Sequence, residues 1–163
     1  MSAPLKHWRI PGRDPFRTRQ LVDELARLYG GHPAMRDITA GILRLAGVGQ
    51  RDDLGAARAI WAWVTRRVMF LNEAGEQIQT PARVLINRYG DCDDRTGLVC
   101  ALLESIRIQW RTRLLATAEG VPFHIWPQAR IGGRWVDLET SDDRGRFAEH
   151  PARLMERLRG LQL

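Results

Sequence analysis

Residues 90–106 read Gly-Asp-Cys-Asp-Asp-Arg-Thr-Gly-Leu-Val-Cys-Ala-Leu-Leu-Glu-Ser-Ile. Gly90-Asp91-Cys92-Asp93-Asp94 opens a helix in which Leu98, Val99, Ala101, Leu102 and Ile106 are apolar, so the stretch predicts a buried helix with Cys92 in its first turn. A thiol in that position gains from the helix dipole and from unpaired backbone N–H groups, which favour a thiolate and offer donors to an oxyanion. Asp91, Asp93 and Asp94 work the other way, because their charges raise the pKa of a neighbouring thiol. Ionising Cys92 therefore calls for a cationic partner. Cys100, deeper on the same helix, reads as an inert core thiol. The two cysteines are eight residues apart on one helix, about 12 Å along its axis, which is too far for a disulfide or a shared metal ion. Helix capping accounts for the aspartates after Cys92 better than calcium does, since the loop glycine and distal glutamate of a calcium loop are missing.

Downstream of this helix the pattern changes to strand. Trp110 to Leu114 alternate, Phe123 to Ile131 and Arg134 to Thr140 follow, and Gly132-Gly133 between them reads as a hairpin turn. His124 opens the second of these strands and is the imidazole able to pair with Cys92, stabilising a thiolate and carrying the proton during acyl transfer. A third group has to hold that imidazole in one tautomer. Asp137 and Glu139 both qualify and, two apart on a strand, point to the same face, so hairpin geometry does not choose between them.

Upstream the chain reads as helical. Asp14-Pro15 starts a helix that stops at Gly30-Gly31, Pro33 opens a second that ends by Gly47 to Gly49, and Asp52 and Asp53 cap a third carrying Leu54, Ala57, Ile60, Trp61, Val64 and Val68. A polar turn at Asn72 to Gly75 and a brief helix from Thr80-Pro81 to about Tyr89-Gly90 lead to the cysteine, and His150-Pro151 begins a closing helix. The expected class is α+β. Its organisation is one domain over residues 1–163, with an N-terminal helical extension at 1–49, a core at 50–145 and a C-terminal helix at 146–163. Whether the extension is a lid, a docking surface or part of the core is open at this level. His7, His32 and His150 fall in loops or caps and are assigned no chemistry.

The formal charge is +6, and Lys6 is the only lysine. The arginines are spread through every segment near acidic residues and no basic run is interleaved with aromatics, so a salt-bridged surface is expected and a nucleic-acid partner is not. Arginine's forked guanidinium also suits an acidic protein partner. Met1 to Arg13 hold no apolar run of the kind that makes a signal-peptide core or a membrane span, and the expected compartment is the cytoplasm. Neither a metal nor an organic cofactor is expected.

Taken together, Gly-Asp-Cys-Asp-Asp at 90–94, the apolar helix after it, Phe-His-Ile-Trp at 123–126 and Gly-Arg-Trp-Val-Asp-Leu-Glu at 133–139 resemble the transglutaminase-like superfamily, in its compact bacterial and phage form. The resemblance covers roughly residues 50 to 145. It implies a papain-like core, with the cysteine-bearing helix packed on an antiparallel sheet, and thiol-dependent acyl transfer on amide or peptide bonds of a protein or peptide substrate. By position, Cys92 matches the family's nucleophile and His124 its general base. The acidic member, usually an aspartate, falls on Glu139. Either the longer glutamate reaches His124, or Asp137 serves, or the triad is degraded. Pro127 is a second departure, removing a ladder donor and implying a bulge or an edge. Gln79 is a candidate side-chain donor to an oxyanion. The alternative is an inactive member of the fold used as a structural or adaptor protein, with phage structural proteins as partners and a phage particle as its location.

Overall fold

The computed structural model describes residues 7–9, 14–72, 77–115 and 124–161. In chain order its elements are β1 (His7–Arg9), α1 (Pro15–Gly30), α2 (Pro33–Leu45), α3 (Asp53–Arg67), β2 (Met69–Phe70), β3 (Gln77–Gln79), α4 (Pro81–Asn87), β4 (Tyr89–Gly90), α5 (Cys92–Ser105), β5 (Trp110–Leu115), β6 (His124–Ile131), β7 (Arg134–Asp137) and α6 (Pro151–Gly160). The helix starts follow from their caps. The Asp14 carboxylate accepts from the Phe16 and Arg17 amides, and the Thr80 hydroxyl accepts from Arg83. His32 and His150 do the same job, their Nδ1 atoms accepting from Ala34 and Ala152. A proline follows each of these four caps in the first helical turn, where its missing N–H costs nothing.

The class is α+β, with α5 packed on the antiparallel sheet β5-β6-β7. Leu98 through Leu103 have no exposed surface at all. A helix that is apolar on every side has to be covered on every side, and four other helices contribute to the cover. Val22 and Leu25 of α1, Met35 and Ile42 of α2, Ile60 and Val64 of α3, and Val84 of α4 join Ile125 and Ala129 of β6 in one core with α5. The N-terminal helices α1 and α2 are thus part of the core around the cysteine-bearing helix. Among the described residues, no helix is long and apolar enough to cross a membrane.

The sheet departs from expectation at one residue, with several effects. The hairpin turn forms at Gly132 and Gly133, with φ of 54° and 78°, the left-handed pair a two-residue loop needs. β7, expected to reach Thr140, stops at Asp137. The Leu138 amide still donates to the Pro127 carbonyl at 2.9 Å, but Pro127 has no N–H to return, so the ladder closes there. Pro127 is neither bulged nor on an edge strand. It sits in the central strand opposite Thr112, with its missing donor turned to the side where β7 ends. The brief helix α4 ends at Asn87, and Arg88 takes a left-handed φ of 60°, which leaves Tyr89–Gly90 to pair in parallel with β2. Phe123 and most of the turn expected at Asn72 to Gly75 lie outside the described residues.

If α1 is core and not an appended lid, deleting residues 1–31 uncovers one side of α5. The expected outcome is loss of the cooperative thermal unfolding transition in circular dichroism, with no folded remainder that keeps a reactive Cys92.

Candidate active site

Two chain segments place the Cys92 sulfur against the start of β6, the strand that His124 opens. On one side, Asp91 caps α5 in an extended conformation and its carboxylate accepts from the Asp94 amide at 3.4 Å, which sets Cys92 as the first helical residue. The Cys92 amide therefore has no helix carbonyl to donate to. On the other side, the backbone of Ile125 in β6 is held by α5 twice. Its N–H donates to the Cys92 sulfur, and its carbonyl accepts from the Thr96 hydroxyl at 3.3 Å. Cys92 is half-buried, and its sulfur is thereby fixed beside the residue that follows His124.

His124 Nε2 is hydrogen-bonded to Glu139 Oε2, and Glu139 is 2% exposed. Burial acts to raise the Glu139 carboxyl, but the bond and charge of His124 and the bonds from Ser141 outweigh it and leave it below its ordinary value. The Ser141 amide donates to Glu139 Oε1 at 2.7 Å, and Trp61 Nε1 of α3 holds the Glu139 carbonyl at 2.6 Å. Glu139 thus lies beyond the end of β7, on backbone released by the missing donor of Pro127. Asp137 does another job. Its Oδ1 accepts from Trp126 Nε1 and from Gln128 Nε2, both at 2.7 Å. Trp126 in turn lies nearly parallel to His124, with ring centroids 5.7 Å apart and planes inclined by 12°, while His150 meets its ring edge-on at 5.5 Å. Glu139 therefore holds a ring nitrogen, and Asp137 acts on the imidazole only through Trp126.

The electrostatics around the sulfur are unfavourable to a thiolate. Burial pushes the Cys92 thiol far up, the charges of Asp93 and Asp91 push it further, the Ile125 amide pulls it down, and Glu139 adds to the rise. Asp93 is itself buried, and burial together with a hydrogen bond and charge from Asp91 holds its carboxyl well above the usual range. Asp94 is tied to β3. The Gln79 N–H donates to its Oδ1 at 2.7 Å and the Gln79 side-chain Nε2 to its Oδ2 at 2.8 Å. The cap of α5 is Asp91, and neither aspartate after Cys92 caps it, a correction to the expectation that capping explains those two.

Gln79 corrects a second expectation. Its side-chain amide donates to Asp94 and to the Tyr89 carbonyl at 3.2 Å, and its Oε1 accepts from Asn87 at 2.8 Å. Buried and fully bonded, it has no donor left for an oxyanion. Gly90 completes this corner, because a Cβ there would stand 2.6 Å from the Asp94 Cβ. Among the described residues, Asp91, Asp93 and Asp94 are the group whose ligand atoms converge, all within 4.8 Å of one another, but both Asp94 oxygens already serve Gln79. Sequence reasoning missed the part played by Trp126. Its place two residues after His124 on one strand, hence on the same face, was the available signal.

A thiol whose pKa is raised holds its proton at neutral pH and has a smaller thiolate fraction than a free cysteine. Iodoacetamide labelling of Cys92, followed by mass spectrometry, is expected to be slower than that of an exposed thiol at pH 7. It should climb about tenfold per pH unit through pH 9, where an ordinary thiol of pKa about 8.5 is levelling off.

The model of the transglutaminase-like superfamily matches residues 44–140, more than half of the chain. A crystal structure of a candidate cysteine protease from Cytophaga hutchinsonii is similar in fold, with a TM-score of 0.53 at 19% sequence identity over 66% of this chain and 37% of that one. The match thus spans little more than a third of that protein's length. None of the curated proteins matches the chain.

Proposed function

The chain belongs to the transglutaminase-like superfamily, and on that premise we propose that it is a cysteine-dependent acyl-transfer enzyme acting as a protease or amidase, with Cys92 as nucleophile, His124 as general base and Glu139 as the group that orients His124. The observation that carries this reading is the buried Glu139 carboxylate bonded to the ring of His124, on the strand whose next amide donates to the Cys92 sulfur. A purely structural thiol needs no imidazole held in one orientation by a buried carboxylate on the strand that it touches.

The raised thiol decides the order of events. Cys92 keeps its proton at rest, so deprotonation accompanies attack: the sulfur bonds to the carbonyl carbon of an amide while His124 takes the thiol proton. The carbonyl oxygen becomes an oxyanion, and the Cys92 amide, which has no carbonyl within α5 to donate to, is the donor we assign to it. Collapse breaks the C–N bond, His124 passes its proton to the departing amine, and a thioester remains on Cys92. Water, deprotonated by His124, then adds to the thioester, expels the sulfur and releases a carboxylic acid, returning the proton to the thiol. Glu139, held below its ordinary pKa, stays ionised and stabilises the imidazolium formed in between. Asp137 is a positioning residue that steadies the His124 ring through Trp126.

The test is acylation by p-nitrophenyl acetate, read as acetylated Cys92 by mass spectrometry, followed by turnover of quenched-fluorescent peptides. Cys92→Ala and His124→Ala are expected to abolish both. Glu139→Gln should lower turnover by about a hundredfold or more, and Asp137→Asn by no more than a few-fold. Acetylation that is indifferent to His124, with no peptide turned over, would sink the enzyme reading and leave an inactive fold serving as a structural or adaptor protein.

A further inference from the structure

Strand alternation and register place Arg111 and Arg113 of β5, Arg130 of β6 and Trp135 of β7 on the same sheet face as His124 and Trp126. The opposite face is the core face, with Thr112, Ile125 and Ala129 buried. Arg113 and Arg130 are exposed and Arg111 is half-buried. Arg113 stands directly across the ladder from Trp126, the residue stacked on His124, so the basic row runs up to the site.

Among the described residues, Arg111 and Arg130 have polar neighbours in place of counter-ions. Arg111 Nε donates to Gln128 Oε1 at 2.7 Å, and Arg130 Nη1 to Gln109 Oε1 at 3.3 Å. None of the three forms an ion pair with a carboxylate among the described residues, whereas Arg144 and Arg157 pair with Asp142 and Glu149. Among the described residues, Asp137 on this face is engaged by Trp126 and Gln128, and Glu139, beyond the end of β7, by His124. Asp91 and Asp93 lie instead at the Cys92 end. The field along the face therefore runs from negative around the sulfur to positive two and more residues away along β5.

We propose that this face docks an extended acidic stretch of the polypeptide substrate, set apart in sequence from the bond that Cys92 attacks. The proposal rests on the acyl-transfer reading for the identity of the ligand as substrate. Alternate residues of a strand repeat about every 7 Å, so the spacing of Arg111 and Arg113 matches that of side chains two apart on an extended peptide. Carboxylates meet the guanidinium fork well. The acidic cluster at Cys92 repels them, which keeps acidic residues away from the scissile position. A single-stranded nucleic acid fits less well, because it needs aromatic faces for its bases and the Trp135 ring is already taken by Arg111 at 4.3 Å and Arg130 at 6.0 Å.

The test uses the full chain carrying Cys92→Ala and reads the fluorescence anisotropy of labelled peptides, so that binding is measured without turnover. A Glu-Ala repeat peptide is expected to bind and a Lys-Ala repeat not to, with binding weakened by raised salt. Arg113→Glu with Arg130→Glu should weaken the acidic peptide at least about tenfold. Both positions are exposed, and the milder Arg113→Gln with Arg130→Gln guards against misfolding, each variant being checked by its thermal melt. Equal binding of both peptides, insensitivity to the charge reversal, or tighter binding of an oligo-dT strand than of the acidic peptide would overturn the proposal. Acidic-peptide binding that depends on the arginines in a chain whose Cys92 proves inert would refute the enzyme reading alone. Turnover of peptides without regard to their acidity would refute the docking face alone.

Discussion

Burial of α5 on all sides draws three ionisable side chains, Asp93, Asp94 and Arg95, into the interior, and two of them, Asp94 and Arg95, reach to other elements for partners. Asp94 is met by the backbone and side chain of Gln79, which joins the first turn of α5 to β3. Arg95 turns to the end of α3, where its Nη2 donates to the Val64 and Thr65 carbonyls at 3.3 and 2.9 Å. Those carbonyls lie in the last turn of α3, where the dipole favours a cation. Two neighbouring residues thus tie the start of α5 to two different elements. That double attachment, together with the grip on Ile125, leaves Cys92 little freedom to move relative to β6.

The division of labour between Asp137 and Glu139 has a single origin in Pro127. A residue with an N–H at that position would extend the β6-β7 ladder by a further bond, and Glu139 would then lie in a strand at a height fixed by pairing. With the ladder closed at Asp137, the chain is released to the amides of Ser141 and the indole of Trp61, and the longer glutamate side chain spans the remaining distance to His124. The substitution of glutamate for aspartate and the proline in the strand are therefore two parts of one arrangement.

Much of this was legible in the chain and some was not. Asp14, Asp52, Thr80 and Asp91 mark helix starts because capping is local chemistry, and the glycine pair at 132 and 133 marks a turn for the same reason. The pairing of Cys92 with the His124 strand was readable from the order of motifs. The choice between Asp137 and Glu139 was not, since it depends on which hydrogen bonds Pro127 leaves unmade and on Trp126, a tertiary partner. Gln79 was misread for a similar reason: a glutamine before a helix gives no sign of the buried aspartate, fifteen residues later, that consumes its donors. The aspartates around Cys92 looked alike in sequence, and their hydrogen-bond partners in the fold separate the Asp91 cap from Asp94, which anchors β3, and from the buried Asp93.

The proton that Cys92 retains has a consequence for durability. Peroxides and disulfides attack or are attacked by thiolates, and a cysteine kept as the neutral thiol stays off the path to sulfenic and sulfinic acid. Papain-like sites that rest as ion pairs gain speed but leave an oxidisable sulfur at their surface. Here burial, with the carboxylates beside the sulfur, raises the thiol, so slower capture of small electrophiles is expected to go with slower oxidation by peroxide.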